Sequence, residues 1–563
     1  MRAVEENSNS TQFPDLIALL EQQALRYGDK PVYSHLDRQL QATASISFRE
    51  LYEQAVKLAA TLQALGLGGR NLLMLYLPGK DFPVAFWGAI LAGACPVPVA
   101  RPRGRDWDVI ERIIRRADAA AVIGSAALLK LLPDSLQMAV AILPHEELTL
   151  EPEHRSSKRH DSADNCKLKL TWQRPTVTGA EPALLQFTSG STGEPKGVML
   201  SHANILDNLS QISRFFACDD RDIGLCWLPL HHDMGLIGHV LQPVFAGIHN
   251  YFMTPAHFLG RPLQWLEAID KVGATISGAP CFAYSLCVES MRHKPAPRLN
   301  LANWRVAYCG AEKISAVVLH EFYKRLQAQG MQANALYPCY GLAESTLFVT
   351  GRHRIKVVMG QSRRNVTGPL LVSVGPAYDQ VRVVNLEEGR LCEEFEVGEV
   401  CLTSPSVAVG YYNDVVATTA SFNLSLKGIG DRLLRTGDLA MVADGELYLV
   451  GRTKNLIKSR GRPVHAEDIE QLVMDEGRGR GVARCAVIGT EHYDQEGIAV
   501  LVEMVRTTDP SQTLQLRHDI QQLIAERSGV VPHNLTILAA GALPLTTSGK
   551  VQRFACQPLI GGE

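Results

Sequence analysis

The stretch that decides the fold runs from Ala183 to Gly197 and reads ALLQFTSGSTGEPKG. Ala183–Phe187 predicts a buried strand, and the glycines, hydroxyls and lysine that follow it are suited to bind an anion. Glycine lets several backbone N–H groups converge on one point, while hydroxyls add donors and the lysine adds a positive charge. The candidate polyphosphate-binding residues are therefore Thr188, Ser189, Gly190, Ser191, Thr192, Gly193 and Lys196.

This loop differs from the phosphate loop of kinases and GTPases. That loop has the pattern GxxxxGK[ST] and opens a helix. Here Pro195 precedes Lys196, and the next residues, Gly197–Leu200, predict a strand. A kinase-type loop is therefore disfavoured, and a flexible polar turn remains the alternative to a phosphate site.

Length and composition limit what else the chain can be. Its 563 residues leave room for two to four domains at roughly 100–200 residues each. A net charge of −2, from 56 basic and 58 acidic residues, argues against binding nucleic acid or membranes through net charge. The 12 scattered cysteines include no CxxC pair, which excludes a disulfide scaffold and common zinc sites. These features predict a cytoplasmic protein.

Two segments bear on targeting and membrane insertion. Residues Met1–Gln12 are polar and acidic, so no signal peptide is expected. The uncharged run Phe82–Ala100 is nearly long enough to span a bilayer, but its prolines and glycines favour a buried helix followed by a buried strand. We therefore expect no membrane span.

The pattern of apolar residues predicts an α/β fold followed by a β subdomain. Ser47 and Glu50 form a capping box that opens a helix, and Leu72–Leu77 is one of several strands apolar on both faces, which indicate a parallel sheet. From Val381 the pattern changes to short strands separated by turns, and after Gly451 it changes to mixed helices and strands. We predict a large N-terminal domain of residues 1–451, which includes a small β subdomain near residues 376–450, and a small α+β C-terminal domain of residues 452–563.

Five further motifs follow the loop in order. They are Trp227–Gly235 (WLPLHHDMG), Tyr340–Glu344 (YGLAE), Arg435–Asp438 (RTGD), Gly451–Lys454 (GRTK) and Thr547–Arg553 (TSGKVQR). With the loop, they resemble the signatures of the adenylate-forming superfamily: acyl-CoA synthetases, luciferases and the adenylation domains of peptide synthetases. The resemblance covers nearly the whole chain and identifies the N-terminal domain as an adenylation domain.

Within that superfamily the chain most resembles the fatty acyl-AMP ligases. The stretches that carry this resemblance are Leu185–Ser189, His231–His239 (HHDMGLIGH), Trp304–Glu312, Gly341–Leu347 and Asp468–Glu470. The chain departs from the superfamily pattern at Ala343, where threonine is usual, and at Leu545, where lysine is frequent.

The resemblance implies a ligase that joins a carboxylate to the α-phosphate of ATP, with Mg²⁺, and releases pyrophosphate. Because the carboxylate is already a nucleophile at neutral pH, the site must neutralise charge between two anions and align them. By resemblance, Lys550 is the catalytic cation that bridges the acyl carboxylate and the α-phosphate. Glu344 is the Mg²⁺ ligand, and Asp438 accepts hydrogen bonds from the ribose hydroxyls.

Other residues complete the implied nucleotide site. Arg452 can reach the ribose or the phosphates with a fork of donors. The adenine pocket is expected to be lined by Gly310, Ala311 and Glu312, and Tyr340 and Gly341 are further nucleotide-binding candidates. The alternative for Asp438 and for the Gly310–Glu312 segment is a simple role in a turn.

The HHDMG motif is expected to meet the acid substrate. His231, His232 and Asp233 are adjacent, so their side chains point in different directions and do not easily ligate one metal ion. A catalytic contact of His231 with the acyl carboxylate or acyl-AMP is favoured over a structural role. The residues predicted to line the substrate site are His232, Asp233, Met234, Ile237, Phe282 and Tyr284, although apolar residues are core by default.

The resemblance also implies a mobile C-terminal domain. In relatives this domain rotates after adenylation so that a thiol can attack the acyl-AMP. Thr453 and Lys454 fall at the domain boundary, where hinge residues are expected, and Lys458 matches a lysine that enters the site only in the second conformation. Solvated lysines on a strand and turn are the alternative.

The acceptor thiol is the point on which the sequence leaves alternatives open. The fatty acyl-AMP ligases use a separate acyl carrier protein of a polyketide or peptide synthetase system, and an insertion in that family disfavours CoA. The corresponding segment here, Gly351–Gly368, is short. A fatty acyl-CoA synthetase, or a stand-alone adenylation enzyme for an amino or aryl acid, therefore remains an alternative. Two basic clusters could meet an acidic carrier: Arg101, Arg103 and Arg105, and Arg478, Arg480 and Arg484.

Overall fold

The fold was examined in a computed structural model of the chain. The structure describes residues 13–102, 107–149, 170–189, 194–293, 298–359, 370–459, 462–477, 480–492, 495–505, 510–545 and 551–560. The α-helices are α1 Leu16–Tyr27, α2 Phe48–Ala64, α3 Asp81–Leu91, α4 Asp108–Arg116, α5 Ala126–Leu129, α6 Asp134–Ala139, α7 His145–Leu148, α8 His202–Phe216, α9 Asp233–Leu236, α10 Gln242–Ala246, α11 Pro255–Gly260, α12 Leu263–Val272, α13 Cys281–His293, α14 Ala316–Leu326, α15 Val415–Phe422, α16 Ala466–Gly477 and α17 Pro510–Ser528.

The strands alternate with these helices over the first two-thirds of the chain and dominate the part before the C-terminal domain. They are β1 Pro31–Leu36, β2 Ala42–Ser47, β3 Asn71–Leu75, β4 Cys95–Pro98, β5 Ala119–Gly124, β6 Ala141–Pro144, β7 Pro182–Ser189, β8 Pro195–Ser201, β9 Ile223–Cys226, β10 His249–Phe252, β11 Ile276–Ala279, β12 Val306–Cys309, β13 Leu336–Gly341, β14 Phe348–Gly351, β15 Val357–Met359, β16 Leu370–Pro376, β17 Val381–Asn385, β18 Arg390–Leu391, β19 Gly398–Leu402, β20 Gly410–Tyr411, β21 Leu424–Leu426, β22 Gly430–Ala443, β23 Glu446–Arg452, β24 Leu456–Ser459, β25 Arg462–His465, β26 Val482–His492, β27 Gln495–Met504 and β28 Asn534–Leu538.

The N-terminal domain is built on two largely parallel sheets with helices packed against them. One sheet has eight strands in the order β14-β13-β12-β11-β9-β10-β1-β2, and the other has four in the order β4-β3-β5-β6. Ser47 and Glu50 form the predicted capping box of α2. The uncharged run folds as α3 and β4, both buried, as predicted. The α/β fold class is thereby confirmed.

The β subdomain is a second eight-stranded sheet. Its strands run in the order β15-β16-β23-β22-β19-β17-β18, with β21 paired to β22. The sheet begins at Val357, before residue 376, because β15 and β16 form a hairpin that extends it on one side. Strand β23 ends at Arg452, so the sheet leads directly to the predicted domain boundary.

The C-terminal part forms its own small α+β unit. Strands β26, β27 and β28 make a three-stranded sheet, and α16 and α17 pack on it. The preceding hairpin, β24 with β25, connects this unit to the β subdomain. Across the ranges that the structure describes, no helix combines the length and apolarity needed to cross a bilayer.

Candidate active site

The predicted phosphate loop connects two antiparallel strands. Strands β7 and β8 pair in register, with Ser189 opposite Pro195 and Thr188 opposite Lys196. The strand that follows the loop excludes a helix-opening phosphate loop, as the sequence predicted. Of the predicted phosphate-binding residues, Gly190, Ser191, Thr192 and Gly193 lie outside the described residues.

Lys196 lies beside an aromatic residue that the sequence did not single out. Its Nζ lies 4.8 Å from the centroid of the Tyr411 ring, which is a cation–π distance. The Tyr411 hydroxyl donates a 2.8 Å hydrogen bond to Oε1 of Glu344. The structure therefore joins the predicted phosphate lysine and the predicted magnesium ligand through one tyrosine. We call Lys196, Tyr411 and Glu344 the phosphate cluster.

A second cluster gathers around Asp438, which is 4% exposed. The Tyr340 hydroxyl donates to Oδ2 of Asp438 at 2.7 Å, and Nε of Arg452 lies 2.6 Å from Oδ1. Asp438 and Arg452 are also directly opposed across β22 and β23. The Asp438 carboxylate holds the pKa of Arg452 above its usual value. We call Tyr340, Asp438 and Arg452 the ribose cluster.

The predicted adenine segment lies at the carboxyl edge of the large sheet. Gly310 follows β12, and Tyr340 and Gly341 end the parallel neighbour β13. A Cβ on Gly341 would lie 1.7 Å from the Leu347 carbonyl oxygen, so only glycine fits there. Ala311 has φ 66, a left-handed conformation that non-glycine residues rarely adopt. Ligands bind at this edge of open α/β sheets.

The Glu312 side chain has a structural partner. Its Oε1 accepts a 2.6 Å hydrogen bond from the backbone N–H of Phe282, near the start of α13. A carboxylate at a helix start satisfies an unpaired backbone donor and complements the helix dipole. Glu312 therefore fixes the adenine segment against α13.

The HHDMG motif forms the start of α9. Asp233 Oδ1 accepts a 2.8 Å hydrogen bond from the N–H of Met234, and the His231 and His232 ring centroids lie 4.5 Å apart. Burial, with a smaller effect of His232, lowers the pKa of His231 well below its usual value, so its imidazole is neutral. Within the described part of the chain, His231 Nε2 is buried without a hydrogen-bond partner.

The residues predicted to line the acyl chain differ in how deeply they are buried. Tyr284 is fully buried, its hydroxyl donates to the Tyr308 carbonyl at 2.8 Å, and its ring packs edge-on against Trp265. Ile237 is also fully buried in the main core. Both residues lie in the packed interior, and their contact with the acyl chain stays a prediction. Met234 and Phe282 are only partly buried and stay candidates.

The predicted hinge faces both clusters. Thr453 and Lys454 form a short turn between β23 and β24. Desolvation of the Lys454 amine, and after it the charge of Arg452, lowers its pKa, while Asp438 and Glu344 oppose this shift. Lys454 therefore lies within electrostatic reach of both clusters. Lys458 lies on β24 opposite Pro463, and the hinge role of all three residues stays a prediction.

The predicted catalytic lysine, Lys550, lies outside the described residues, but both flanks of its segment are anchored. Leu545 and Val551 form a β-bridge, and Arg553 contacts Glu470 on α16 through Nε at 2.9 Å and through Nη2 at 2.5 Å. The segment that carries Lys550 is thus tied at its C-terminal end to the C-terminal domain.

The segment compared with the family insertion is described only up to Met359 and from Leu370. Val357 and Met359 are 43% and 48% exposed. Val358 instead packs against Leu371 and Tyr448 of the β subdomain. Val358 is therefore engaged within the β subdomain itself. Arg103, Arg105 and Arg478 of the basic clusters lie outside the described residues.

Comparisons with known proteins bear on the chain as a whole. A profile described as AMP-binding enzyme matches residues 20–412. The medium-chain-fatty-acid–[acyl-carrier-protein] ligase JamA of Moorena producens is 31% identical over 97% of this chain and 95% of its own. The corresponding ligase TtuA of Teredinibacter turnerae is 28% identical over 91% of this chain and 88% of its own.

A solved structure is similar over the same extent. The fatty acyl-adenylate ligase of L. pneumophila, in complex with acyl adenylate and pyrophosphate, is 32% identical, covers 97% of this chain and 96% of its own, and superposes with a TM-score of 0.74. The chain belongs to the AMP-binding enzyme family, and it is an adenylate-forming ligase. Among the members of that family it is similar to the fatty acyl-AMP ligases.

Proposed function

We propose that this protein activates a medium- or long-chain fatty acid as acyl-AMP and passes the acyl group to a separate acyl carrier protein. One observation carries the first half of this proposal: Arg452 and Lys454 each interact electrostatically with both Glu344 and Asp438. The phosphate and ribose clusters thus form one charged site. Similarity to carrier-protein ligases supports the second half.

The ribose cluster suits the sugar of ATP. Each carboxylate oxygen of Asp438 accepts one hydrogen bond from the protein, and each has a further lone pair for a ribose hydroxyl. Arg452 offers remaining guanidinium donors next to it. The Gly310–Glu312 segment and Tyr340 would flank the adenine.

The phosphate cluster suits the triphosphate and its cation. Tyr411 engages Oε1 of Glu344, and Glu344 would hold Mg²⁺ together with the substrate phosphates. In the described part of the chain, no three acidic, histidine or cysteine side chains gather to hold a metal alone. A single protein carboxylate, that of Glu344, suits a Mg²⁺ ion whose other ligands are substrate phosphates. When bound, Mg²⁺ would neutralise part of the phosphate charge.

The reaction has two balanced steps. A carboxylate oxygen of the fatty acid attacks the α-phosphorus, a new O–P bond forms, and the bond to pyrophosphate breaks. The carrier thiolate then attacks the acyl carbonyl, and AMP leaves. Lys550 and Lys196 supply positive charge as negative charge develops in the first step, which favours the transition state over the ground state.

The acid motif favours a fatty acid over an amino acid. An amino-acid enzyme needs an acidic side chain for the α-amine; Asp233 caps the start of α9 through the Met234 N–H, and similarity to fatty-acid ligases argues against an amine ligand there. His231 is neutral and its Nε2 is free, among the described residues, to contact the acyl group. The partly buried Phe282 packs edge-on against Trp227 and offers an apolar wall.

A CoA ligase is the second candidate. The observation that favours it is the shortness of the segment Gly351–Gly368, since less insertion means less restraint on the C-terminal domain. We place the enzyme in the cytoplasm, where ATP, CoA and carrier proteins are all present.

The test is an adenylation assay with purified enzyme, ATP and Mg²⁺. Fatty acids of increasing chain length are compared with aromatic and amino acids, and acyl-AMP is quantified by mass spectrometry. We expect acyl-AMP from medium or long fatty acids only. Lys550→Ala should lower the rate by roughly 10²–10³-fold with little change in KM for ATP. Adenylation of amino acids alone, or no adenylate from any acid, contradicts the proposal.

A further inference from the structure

We propose that Tyr411 is a positioning residue that orients Lys196 toward the nucleotide phosphates and Glu344 toward their divalent cation. This inference rests on the proposed function, because it concerns the same site. It adds a residue to the reaction that lies in none of the motifs that identified the site.

Two contacts place Tyr411 between opposite charges. The Lys196 ammonium lies 4.8 Å from the centroid of the tyrosine ring, and the tyrosine hydroxyl donates to Glu344 Oε1 at 2.8 Å. The ring face attracts the cation, and the hydroxyl is the natural donor to the anion. One side chain thus holds both groups, each by a different part of the phenol.

The protein fixes Tyr411 on several sides. Strand β20 pairs with β8, so that Tyr411 lies opposite Val198. The Tyr411 backbone N–H donates to Thr418 Oγ1 at 2.9 Å, and its ring packs edge-on against Phe422 with centroids 5.2 Å apart. Tyr411 is 8% exposed, and burial raises the pKa of its hydroxyl. The hydroxyl therefore keeps its proton and remains a donor to Glu344.

The turn that carries Glu344 is joined to the same region through the backbone. The Glu344 carbonyl accepts a 2.9 Å hydrogen bond from the N–H of Ala408, two residues before β20. Backbone and side chain of Glu344 are thus both held by the segment that leads into Tyr411. This double attachment fixes the direction of the carboxylate.

Placing a phenol between a lysine and a glutamate has a chemical consequence. A direct Lys–Glu ion pair would neutralise both charges before a ligand arrives. Here Lys196 packs on the ring and Glu344 bonds to the hydroxyl, so each keeps its charge and further bonding positions for ligand. Such preorganised charges cost little reorganisation when the nucleotide binds.

The test measures binding without turnover. The probe is AMP-CPP, an ATP analogue whose methylene bridge prevents adenylation, and AMP serves as the ligand without β- and γ-phosphates. Tyr411→Phe keeps the ring and removes the hydroxyl, whereas Tyr411→Leu removes both. The matched control is Tyr412→Phe, since Tyr412 packs with the core of the four-stranded sheet instead. Circular dichroism and thermal unfolding confirm that each variant folds.

Calorimetric titration and Mn²⁺ electron paramagnetic resonance report the two contacts separately. Tyr411→Phe should weaken Mn²⁺ binding to the AMP-CPP complex about five- to tenfold, the effect of one charge-assisted hydrogen bond. Tyr411→Leu should weaken AMP-CPP binding a further threefold or so, the effect of one exposed cation–π contact. AMP affinity should change less than about twofold in both variants, because AMP lacks the β- and γ-phosphates that Lys196 and the cation are proposed to contact.

Combining the Tyr411 substitutions with Glu344→Ala or Lys196→Ala tests whether Tyr411 acts through those two residues. In Glu344→Ala, the Phe substitution should have no further effect on Mn²⁺ binding, and in Lys196→Ala the Phe and Leu variants should bind AMP-CPP alike. Unchanged Mn²⁺ binding in Tyr411→Phe, or equal losses for AMP and AMP-CPP, overturns the inference. These measurements need no acid substrate, so failure of wild-type enzyme to adenylate fatty acids would sink the proposed function and leave this test valid.

Discussion

Asp438 is the residue on which the contacts of the ribose cluster converge. Its carboxylate receives the Tyr340 hydroxyl and the Arg452 guanidinium, and it is almost fully buried. Removing one member of a buried hydrogen-bonded charge pair leaves the other uncompensated. A substitution here should therefore affect both the nucleotide and the placement of Arg452.

We predict that Asp438→Ala mainly weakens ATP binding. Hydrogen bonds to a charged acceptor contribute roughly 1.5–3 kcal/mol each, so the loss should be at least about tenfold. The matched control is Asp444→Ala, because Asp444 is exposed in the turn between β22 and β23. Equilibrium titration with ATP in the absence of fatty acid measures the effect. An unchanged affinity would reduce Asp438 to a turn residue.

His239 gives the fold a dependence on pH. Its Nδ1 lies 2.8 Å from the Asn250 side-chain oxygen and its Nε2 lies 2.6 Å from the Tyr308 hydroxyl. Burial lowers the pKa of His239 to about 4. Between this value and the unfolded value near 6.5, the unfolded chain binds one more proton than the native chain. Stability is therefore lost as the pH falls through this window.

We predict that His239 alone lowers the free energy of unfolding by about 2 kcal/mol between pH 8 and pH 5. In His239→Gln, the drop in the free energy of unfolding between pH 8 and pH 5 should be about 2 kcal/mol smaller than in the wild type. His320→Gln, at an exposed position on α14, should lose as much stability as the wild type. Urea unfolding at several pH values measures this. Equal pH slopes for wild type and His239→Gln would contradict the prediction.

At the scale of elements, the β15–β16 hairpin is the least expected feature of the β subdomain. Val357 and Met359 on β15, and Leu370 on β16, leave large apolar surfaces exposed next to the segment compared with the family insertion. Exposed apolar patches mark surfaces that contact something in another state. We propose the C-terminal domain of the same chain as the partner of this surface, because a restraint on that domain would disfavour CoA.

We predict that the double substitution Val357→Ser and Met359→Ser raises acyl-CoA formation about tenfold without changing acyl-AMP formation. Losing a small apolar contact shifts a conformational equilibrium by about 1–2 kcal/mol. The control pair is Leu391→Ser and Val397→Ser, exposed at the opposite side of the same sheet. The measurement is the yield of acyl-CoA and of acyl-AMP with CoA as the sole thiol. An unchanged acyl-CoA yield would contradict a restraining role for this hairpin.

Elements with local signals could be predicted, and elements made by distant contacts could not. The capping box of α2 and the strand after the phosphate loop are encoded within a few residues, and both are confirmed. Tyr411 is about 67 residues from Glu344 and 215 from Lys196, so no local pattern marks it. The Gly-Tyr pair in β20 is the only signal that could have drawn attention to it.

At the scale of the molecule, an ion pair joins the two predicted domains. The Lys313 ammonium contacts Oδ1 of Asp468, in the first turn of α16, and both side chains are mostly buried. Lys313 directly follows the adenine segment Gly310–Glu312. This ion pair links the orientation of the C-terminal domain to the predicted nucleotide pocket. Its two residues are 155 positions apart, so the sequence alone could not reveal the contact.

We predict that Lys313→Met loosens the domain arrangement. Thermolysin should cleave between residues 452 and 465 about fivefold faster, because a partly buried ion pair is lost. The double variant Lys313→Asp and Asp468→Lys should move the rate back toward wild type, whereas Arg49→Met, which breaks an exposed pair with Asp29, should leave it unchanged. Wild-type cleavage of Lys313→Met would show that this pair does not restrain the domains.

The overall division of the chain follows from the sequence, but the acyl pocket does not. Motif order predicted the nucleotide residues that the structure gathers into two clusters. Tyr284 was predicted only as one candidate for the lining, and in the structure its hydroxyl donates to the Tyr308 carbonyl while its ring packs edge-on against Trp265. Apolar side chains fill core and channel by the same hydrophobic effect, so composition cannot separate them.

The most direct test of the account is a competition between two thiols. The enzyme receives ATP, Mg²⁺ and its preferred fatty acid, with equal concentrations of CoA and of a holo acyl carrier protein, and both thioesters are quantified by mass spectrometry. The account predicts that acyl-AMP forms first and that the acyl group moves predominantly to the carrier protein. Acyl-CoA as the main product, with the carrier left unloaded, would contradict it.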